Sequence, residues 1–407
     1  MDAIEWLESL RKQGMKLGLE NTKKLLQRLN DPQNDFPSIH VAGSNGKGTI
    51  CSILSNTFTL NGIKTGLFSS PHLCNVEERI RINGLQISNS LFVANIEKLY
   101  SVCEIEPKII PTFYEATFLI AMIHFSSSKI ERAIIETGLG GRLDATRLVN
   151  ADCCILTQIS LEHTKILGST ILEIATEKSA IARDGIPLIS IWNKDEKVRK
   201  VISESVNSPK LIEWYKPLPN ESMKGEAVGL ANLAMEKMSL VFKCDEPAKR
   251  TVWPGRMQRI EDSNGLEILL DCAHNPSGIC RAFDEILSNH HSIQNIILGC
   301  TEQTDFEGFL KPIIDYVRIN PIDNLILTEP QGGRTESIKV EKLFENISSI
   351  FTETKIHLEP LPLTALKKGK LLTKKGTLLC IGSLYLIGNI LSILELDDEN
   401  SMTILSK

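Results

Sequence analysis

The stretch His40-Val-Ala-Gly-Ser-Asn-Gly-Lys-Gly-Thr49 decides how the rest of this sequence is read. It follows the apolar run Ile39–Ala42 and leads into Gly48–Leu60, whose spacing is helical, so it is a glycine-rich turn between a strand and a helix. Glycines let backbone N–H groups close around phosphate oxygens, and the helix N-terminus adds a favourable dipole. Lys47 supplies a cation and Thr49 a hydroxyl for Mg²⁺. The strict G-x-x-x-x-G-K-[ST] spacing is not met, because Val41 stands where the first glycine belongs and Gly48 follows the lysine. A turn that merely joined strand to helix would leave Lys47 between two glycines without a purpose, since glycine there weakens the helix.

Outward from this turn, short β-branched runs alternate with longer helical ones. Strands are expected at Ile39–Ala42, Thr65–Ser69, Ala133–Glu136, Cys153–Ile159, Leu188–Ile191, Ile268–Asp271, Ile296–Gly299, Leu325–Thr328 and Leu378–Gly382. Helical spacing covers Gly48–Leu60, Leu91–Cys103, Phe113–Phe125, Ile171–Arg183, Gly225–Phe242, Pro276–Ser288, Phe306–Arg318, Ser337–Ile347 and Ser383–Glu395. This is the pattern of an α/β fold with a parallel sheet and crossover helices. The N-terminal stretch Ala3–Asn30 reads as helical apart from a break at Gly14 and Gly18. Around Glu246–Trp253, prolines and polar residues interrupt the alternation, which places a larger domain at 1–250 and a smaller α/β domain at 251–407.

At 407 residues the chain is long enough for two or three domains, and its 42% hydrophobic and 23% charged residues are ordinary for a globular protein. Its 45 basic residues against 50 acidic ones give a net charge of −5, no footprint for nucleic acid or an anionic membrane. Small molecules are the expected partners. The longest apolar candidate for a membrane span, Thr377–Leu394, is broken by glycine and polar residues, and the N-terminal segment lacks the pattern of a secretory leader. Ten cysteines without a C-x-x-C read as reduced thiols, so a cytoplasmic location is expected.

Further motifs sit at predicted strand ends, where open α/β sheets place ligands. Ser70 and His72 in Phe68-Ser-Ser-Pro-His-Leu73 are available to a metal or phosphate. Alone, though, that segment and Glu77-Glu-Arg-Ile-Arg-Ile82 read better as a turn with a solvated charge run. In Glu136-Thr-Gly-Leu-Gly-Gly-Arg-Leu-Asp-Ala-Thr146, an acidic residue before several glycines fits a Mg²⁺ ligand facing a binding loop, with Arg142 and Asp144 free for polar recognition. His163 in Ser-Leu-Glu-His163 and Lys178 on the next helix are either members of the same site or, respectively, a core histidine and a solvated lysine. In the second domain, Trp253-Pro-Gly-Arg256 offers a cation, and Asp271 at a strand end is able to accept from ribose hydroxyls or hold Arg256. His274 and Asn275 are equally well a helix cap before Pro276.

Taken in order, these segments, together with T-F-x-E-A-T at Thr112–Thr117, I-S-x-x-H-T at Ile159–Thr164, E-K-S-A-I-A and I-G-S-L-Y-L-I-G at Ile381–Gly388, resemble the folylpolyglutamate synthase/dihydrofolate synthase family. That family belongs to the Mur-ligase-like ATP-dependent amide ligases. The resemblance runs from Leu17-Gly-Leu-Glu20 to Gly388. It implies a P-loop-type mononucleotide-binding ATPase domain followed by a smaller Rossmann-like domain that closes over it. The activity implied is ATP- and Mg²⁺-dependent addition of L-glutamate to dihydropteroate, to folates, or to both, through an acyl phosphate.

Carried over residue by residue, the resemblance makes Asn45, Gly46, Lys47, Gly48 and Thr49 the ATP phosphate loop. It makes Ser70, Glu136 and His163 metal ligands, and Lys178 a lysine carbamylated so that it too can bind the metal. Thr112 and Leu143-Asp144-Ala145 match pterin contacts, Arg256 and Asp271 match ATP contacts, and His274 lies near the incoming glutamate with Asn275 beside it. Ser383 falls in the family's closing strand-to-helix turn. Lys47, Lys178 and His274 are the expected catalytic residues, and the family is typically monomeric. The usual H-Q-x-x-N-A is replaced here, with Ala227, Val228 and Ala231 at its places and Asn232 one position late. The usual D-K-D appears as Gln303-Thr304-Asp305. These departures leave room for a related ligase of another carboxylate, or for a noncatalytic nucleotide-binding relative.

Overall fold

The computed structural model describes residues 2–406 other than 15, 17, 290 and 334, with the side chains of all of these but 13 and 209. Leu17, where the resemblance begins, lies outside the described residues. The chain forms two compact units. The first comprises Met1–His72, Val76–Val252 and Thr403–Lys407, and the second Leu73–Asn75 and Trp253–Met402. This division sets the main boundary after Val252 rather than after residue 250, and it differs from a single cut at two further places. Leu73–Asn75 belongs with the second unit, and the end of the chain returns to the first, where Asn56 Nδ2 donates to Ile404 O at 2.8 Å and Val252 N to the same carbonyl at 3.0 Å.

The first unit carries β1 (Ser38–Ala42), β2 (Thr65–Phe68), β3 (Ile80–Ile82), β4 (Leu85–Gln86), β5 (Arg132–Glu136), β6 (Ala151–Leu156), β7 (Leu188–Ile191) and β8 (Ile212–Tyr215). Their order across the sheet is β4-β3-β2-β5-β1-β6-β7-β8, parallel throughout except where β3 pairs with β2 and β4. β1 is buried at every position, as a central strand covered on both faces must be. The helix Phe113–Ser127 is buried nearly all round rather than along one stripe, which makes it a core helix.

The charged run before β4 is not solvated. Glu78, Arg79 and Arg81 are all buried, and Asn83-Gly84, both at positive φ, forms the two-residue turn that folds β3 onto β4. Arg79 Nε donates to His72 Nδ1 at 2.8 Å. Burial brings the Arg81 guanidinium down to about 10. An apolar side chain at every second position, Ile80 and Ile82, is the strand signal, masked in the sequence by the charges between.

The second unit carries β9 (Gln258–Glu261), β10 (Glu267–Asp271), β11 (Ile293–Leu298), β12 (Asn324–Leu327), β13 (Lys355–Leu358) and β14 (Thr377–Ile381), in the order β13-β12-β11-β14-β10-β9. Only β9 is antiparallel. The last strand inserts between β11 and β10, so the tips at Asp271, Leu298 and Ile381 are neighbours at a topological switch point.

Two element ends fall short of the sequence expectation for identifiable reasons. β6 stops at Leu156 because Thr157 turns to bond the backbone of the glycine-rich turn at Asn45. The helix Ile171–Ser179 stops before Arg183 because Arg147 and Arg183 take the carbonyls of Ala180, Ile181 and Ala182. No helix among the described residues is long and apolar enough to cross a membrane.

Candidate functional site

Residues 43–46 carry the chain from β1 into the helix Lys47–Leu60. Gly43 has φ +145°, and a Cβ there would stand 1.8 Å from Thr157 Oγ1, so no other residue fits. Thr157 Oγ1 donates to Asn45 O at 2.8 Å, Ser44 N to Gln158 O at 2.7 Å, and Ser160 N to Ser44 Oγ at 3.0 Å. The loop is thus shaped from the segment after β6. Gly46, in the left-handed region, caps the helix, whose first N–H groups have no intrahelical acceptor and form an anion site.

Two lysines converge on one carbonyl of this loop. Lys47 Nζ donates to Gly43 O at 2.9 Å and Ser44 O at 3.2 Å, and Lys178 Nζ donates to Gly43 O at 2.9 Å. Lys178, 2% exposed, is paired with Glu162 Oε1 at 2.7 Å, and Glu162 is itself only 12% exposed. Burial raises the Glu162 carboxyl, but Lys178 and Lys47 outweigh it and hold the group at about 2. Burial also lowers the Lys178 ammonium, against the pull of Glu162. His163, with φ 46° at the start of the short helix Thr164–Leu167, is lowered mainly by burial and then by the two lysines, with Glu162 opposing.

Glu136, buried at the tip of β5, accepts from Ser70 N at 3.2 Å, so the segment after β2 and the end of β5 meet. Their carboxylate and hydroxyl oxygens are the donors a hard divalent cation takes, and they fit Mg²⁺. Lys178 as an ammonium does not fit as a ligand. No cluster of three or more His, Cys, Asp or Glu stands ready for a metal among the described residues.

The loop after β5 folds around Asp144. Asp144 Oδ2 accepts from Gly138 N and Leu139 N, each at 2.9 Å, and Oδ1 accepts from Tyr114 OH and Thr146 N, each at 3.0 Å, and from the Thr146 hydroxyl. Asp144 is therefore spent on shaping the loop, where the sequence alone leaves it free for recognition. Burial raises its carboxyl while these donors oppose. Gly141 lets the loop approach the helix Ile171–Ser179, since a Cβ would meet Lys178 O at 2.8 Å and Glu177 O at 2.9 Å. Arg142 Nε donates to Glu177 Oε1 at 2.9 Å. Leu143 is half-buried and Ala145 buried. Thr112 caps the helix Phe113–Ser127 in a capping box with Glu115, which also accepts from Thr22 Oγ1 at 2.7 Å.

In the second unit, Asp271 is buried at the tip of β10 and accepts from Met257 N at 3.0 Å and Ala273 N at 2.8 Å. Burial raises its carboxyl and the Arg256 charge opposes, so this pair is close enough to interact. His274 Nδ1 is 2.9 Å from Cys272 O, Asn275 caps the helix Pro276–Ser288 through Gly278 N at 2.7 Å, and Ser383 caps the helix Leu384–Ile393. Asn232 accepts from Cys244 N at 2.9 Å and donates to Asp245 at 3.0 Å, so it fastens a local turn. Asp305 caps the helix Phe306–Ile319.

Glu162 and Thr157 carry no role in the sequence reading. The available signal for Glu162 was an acidic residue beside His163 with a lysine in reach on the following helix, and for Thr157 the hydroxyl at the end of a strand neighbouring the glycine-rich turn.

Residues 255–384 match the family model described as Mur ligase, glutamate ligase domain. The chain is 30% identical over 353 residues to the dihydrofolate synthetase of Saccharomyces cerevisiae, spanning 77% of this chain and 81% of the yeast protein. It is 30% identical over 319 residues to the dihydrofolate synthase/folylpolyglutamate synthase of Bacillus subtilis, spanning 68% and 74%. Among solved structures, E. coli FolC in complex with DHPP and ADP superposes with a TM-score of 0.84 at 24% identity, covering 97% of this chain and 98% of that one. At that identity the likeness is one of fold.

Proposed function

Because the chain belongs to the dihydrofolate synthase/folylpolyglutamate synthase family, we propose that it is an ATP- and Mg²⁺-dependent ligase that joins L-glutamate to the carboxylate of dihydropteroate, of a folate, or of both. The observation that carries this reading is the relationship over most of both chains, placed on a nucleotide-binding sheet whose phosphate loop holds two lysines at one carbonyl.

A carboxylate is a poor electrophile. Transfer of the γ-phosphoryl group of ATP to it gives an acyl phosphate and ADP. The glutamate amine then attacks the acyl carbon, and phosphate leaves. Little covalent chemistry falls to the protein, which must bring anions together and neutralise them. The N–H groups of Asn45 to Thr49 and the Lys47 ammonium bind the ATP phosphates, with Lys47 leaving the carbonyls of Gly43 and Ser44 to do so. Glu136, the Ser70 hydroxyl and His163 would hold Mg²⁺, which when bound would offset phosphate charge. Lys178 would join that set once its amine had lost its proton and added carbon dioxide to give an N-carbamate and release a further proton, a change that exchanges its positive charge for a negative one and breaks its attraction to Glu162. Thr112, Leu143 and Ala145 face the pterin, with Asp144 setting the loop that carries them. In the second unit Arg256 and Asp271 serve the nucleotide, and His274 serves the glutamate. We read the enzyme as a monomer acting on small molecules in the cytoplasm.

The test is phosphate release by the purified protein with ATP and Mg²⁺, omitting glutamate, dihydropteroate and tetrahydrofolate in turn, with products weighed by mass spectrometry. Release that requires glutamate and one pterin, with a product heavier by one glutamyl residue, supports the reading and identifies the acceptor. ATP binding without pterin-dependent release overturns it.

A further inference from the structure

A buried hydrogen-bond chain ends on Asp144, and its direction is fixed by chemistry. Arg183 has only donors, so its Nη1, 3.2 Å from His40 Nδ1, makes that nitrogen the acceptor. His40 then carries its proton on Nε2 and donates to Thr146 Oγ1 at 2.8 Å. The Thr146 hydroxyl oxygen, having accepted that hydrogen bond, donates its own O–H to Asp144 Oδ1. His40, Thr146 and Asp144 are all buried, and Arg183 is held in turn by its bonds to the carbonyls of Ile181, Arg147 and Val149. At the far end, Asp144 Oδ2 collects the N–H groups of Gly138 and Leu139, two and three residues beyond Glu136.

We propose that His40, Thr146 and Arg183 are positioning residues for pterin binding: through this chain they fix the orientation of the Asp144 carboxylate and so the course of the loop at residues 138–145. The inference rests on the reading above that this loop faces the pterin. His40 stands on β1 and Arg183 beyond the helix that carries Lys178, so the loop is set from elements that also carry the phosphate site. Without the chain, the side-chain donor left on Asp144 among the described residues is Tyr114 OH.

The test compares Thr146→Val, which keeps the shape and the backbone donor but removes the hydroxyl, with Thr146→Ser, which restores it. Two readouts are taken: amide hydrogen exchange at Gly138 and Leu139, and steady-state KM values for the pterin and for ATP. Thr146→Val is expected to speed exchange at both amides and raise the pterin KM by about tenfold or more, with the ATP KM within about twofold, and Thr146→Ser to recover both readouts. If Thr146→Val does not fold, Tyr114→Phe, which removes one donor and keeps the ring, is expected to shift both readouts in the same direction. Unchanged amide exchange and pterin KM despite a lowered melting point, or a serine variant as impaired as the valine one, would overturn the proposal. Faster exchange in Thr146→Val together with a wild-type protein that turns over no pterin would leave the loop network standing and refute the substrate assignment; the proposal, as one about pterin binding, falls with it.

Discussion

Lys178 Nζ lies 2.7 Å from Glu162 Oε1, the lysine buried and the glutamate largely so, and the residue assigned to metal binding thus stands as one half of an ion pair. A buried ammonium stripped of its counter-charge is strongly destabilising, by about 3–5 kcal/mol for such pairs, whereas replacing both partners together is far milder. Glu162→Gln is therefore expected to lower the stability of the ligand-free protein by about 3 kcal/mol. The double variant Glu162→Gln with Lys178→Met is expected to recover most of that loss. Urea unfolding of the three proteins checks it; a double variant less stable than Glu162→Gln alone would show that the pair is not coupled.

Lys47 differs from Lys178 in what its loss leaves behind. Among the described residues its Nζ is bonded to carbonyls of its own loop, Gly43 and Ser44, and Glu162, which also feels its charge, keeps Lys178 as its ion-pair partner when it is removed. Lys47→Ala is expected to abolish ligation while shifting stability by no more than about 1 kcal/mol. Lys178→Ala is expected to abolish ligation and destabilise as well, because Glu162 stays buried and unpaired. Activity assays run beside unfolding curves separate the two variants.

How far the sequence revealed this architecture depended on whether a signal was local. The glycine-rich turn and the strands feeding it are legible because their β-branched runs are uninterrupted and central. Ile80–Ile82 was hidden by Glu78, Arg79 and Arg81, whose burial depends on partners such as His72 that no local pattern reveals. Edge strands such as Ile212–Tyr215 and Lys355–Leu358 are short and half-exposed, so they lack the apolar run. At the site, the residues were visible one by one, but Asp144 looks free for recognition until the N–H groups of Gly138 and Leu139 are seen to occupy it. Pairings across distant segments, Lys178 with Glu162 and Thr157 with Asn45, follow from the folded chain alone.

His40 gives the protein a pH dependence of known sign. Burial, then the charges of Arg183 and Arg147, hold its imidazole well below the ordinary 6.5. Below that value the unfolded chain takes up a proton that the folded chain refuses, so folding stability falls as pH falls, by up to about 1.4 kcal/mol per pH unit. His40→Gln lacks this proton. Its stability relative to wild type is therefore expected to improve between about pH 7.5 and about pH 5.5, measured by urea unfolding at both values. Parallel changes in the two proteins would count against a neutral, buried His40.

Asn232 tests whether the replaced H-Q-x-x-N-A segment still contributes to nucleotide binding. Its amide is committed at both ends, accepting from Cys244 N and donating to Asp245, which fastens the start of the helix Asp245–Lys249. Neighbouring Ala227 and Ala231 are buried in the packing of the helix Met223–Lys237 and carry no polar group to offer a base. Asn232→Ala is thus expected to cost about 1 kcal/mol of stability for the lost hydrogen bonds while leaving the KM for ATP within about twofold. A rise in that KM of about tenfold, worth about 1.4 kcal/mol of binding, with unchanged stability, would instead place Asn232 at the nucleotide and show that the one-residue offset is absorbed by a turn of the helix.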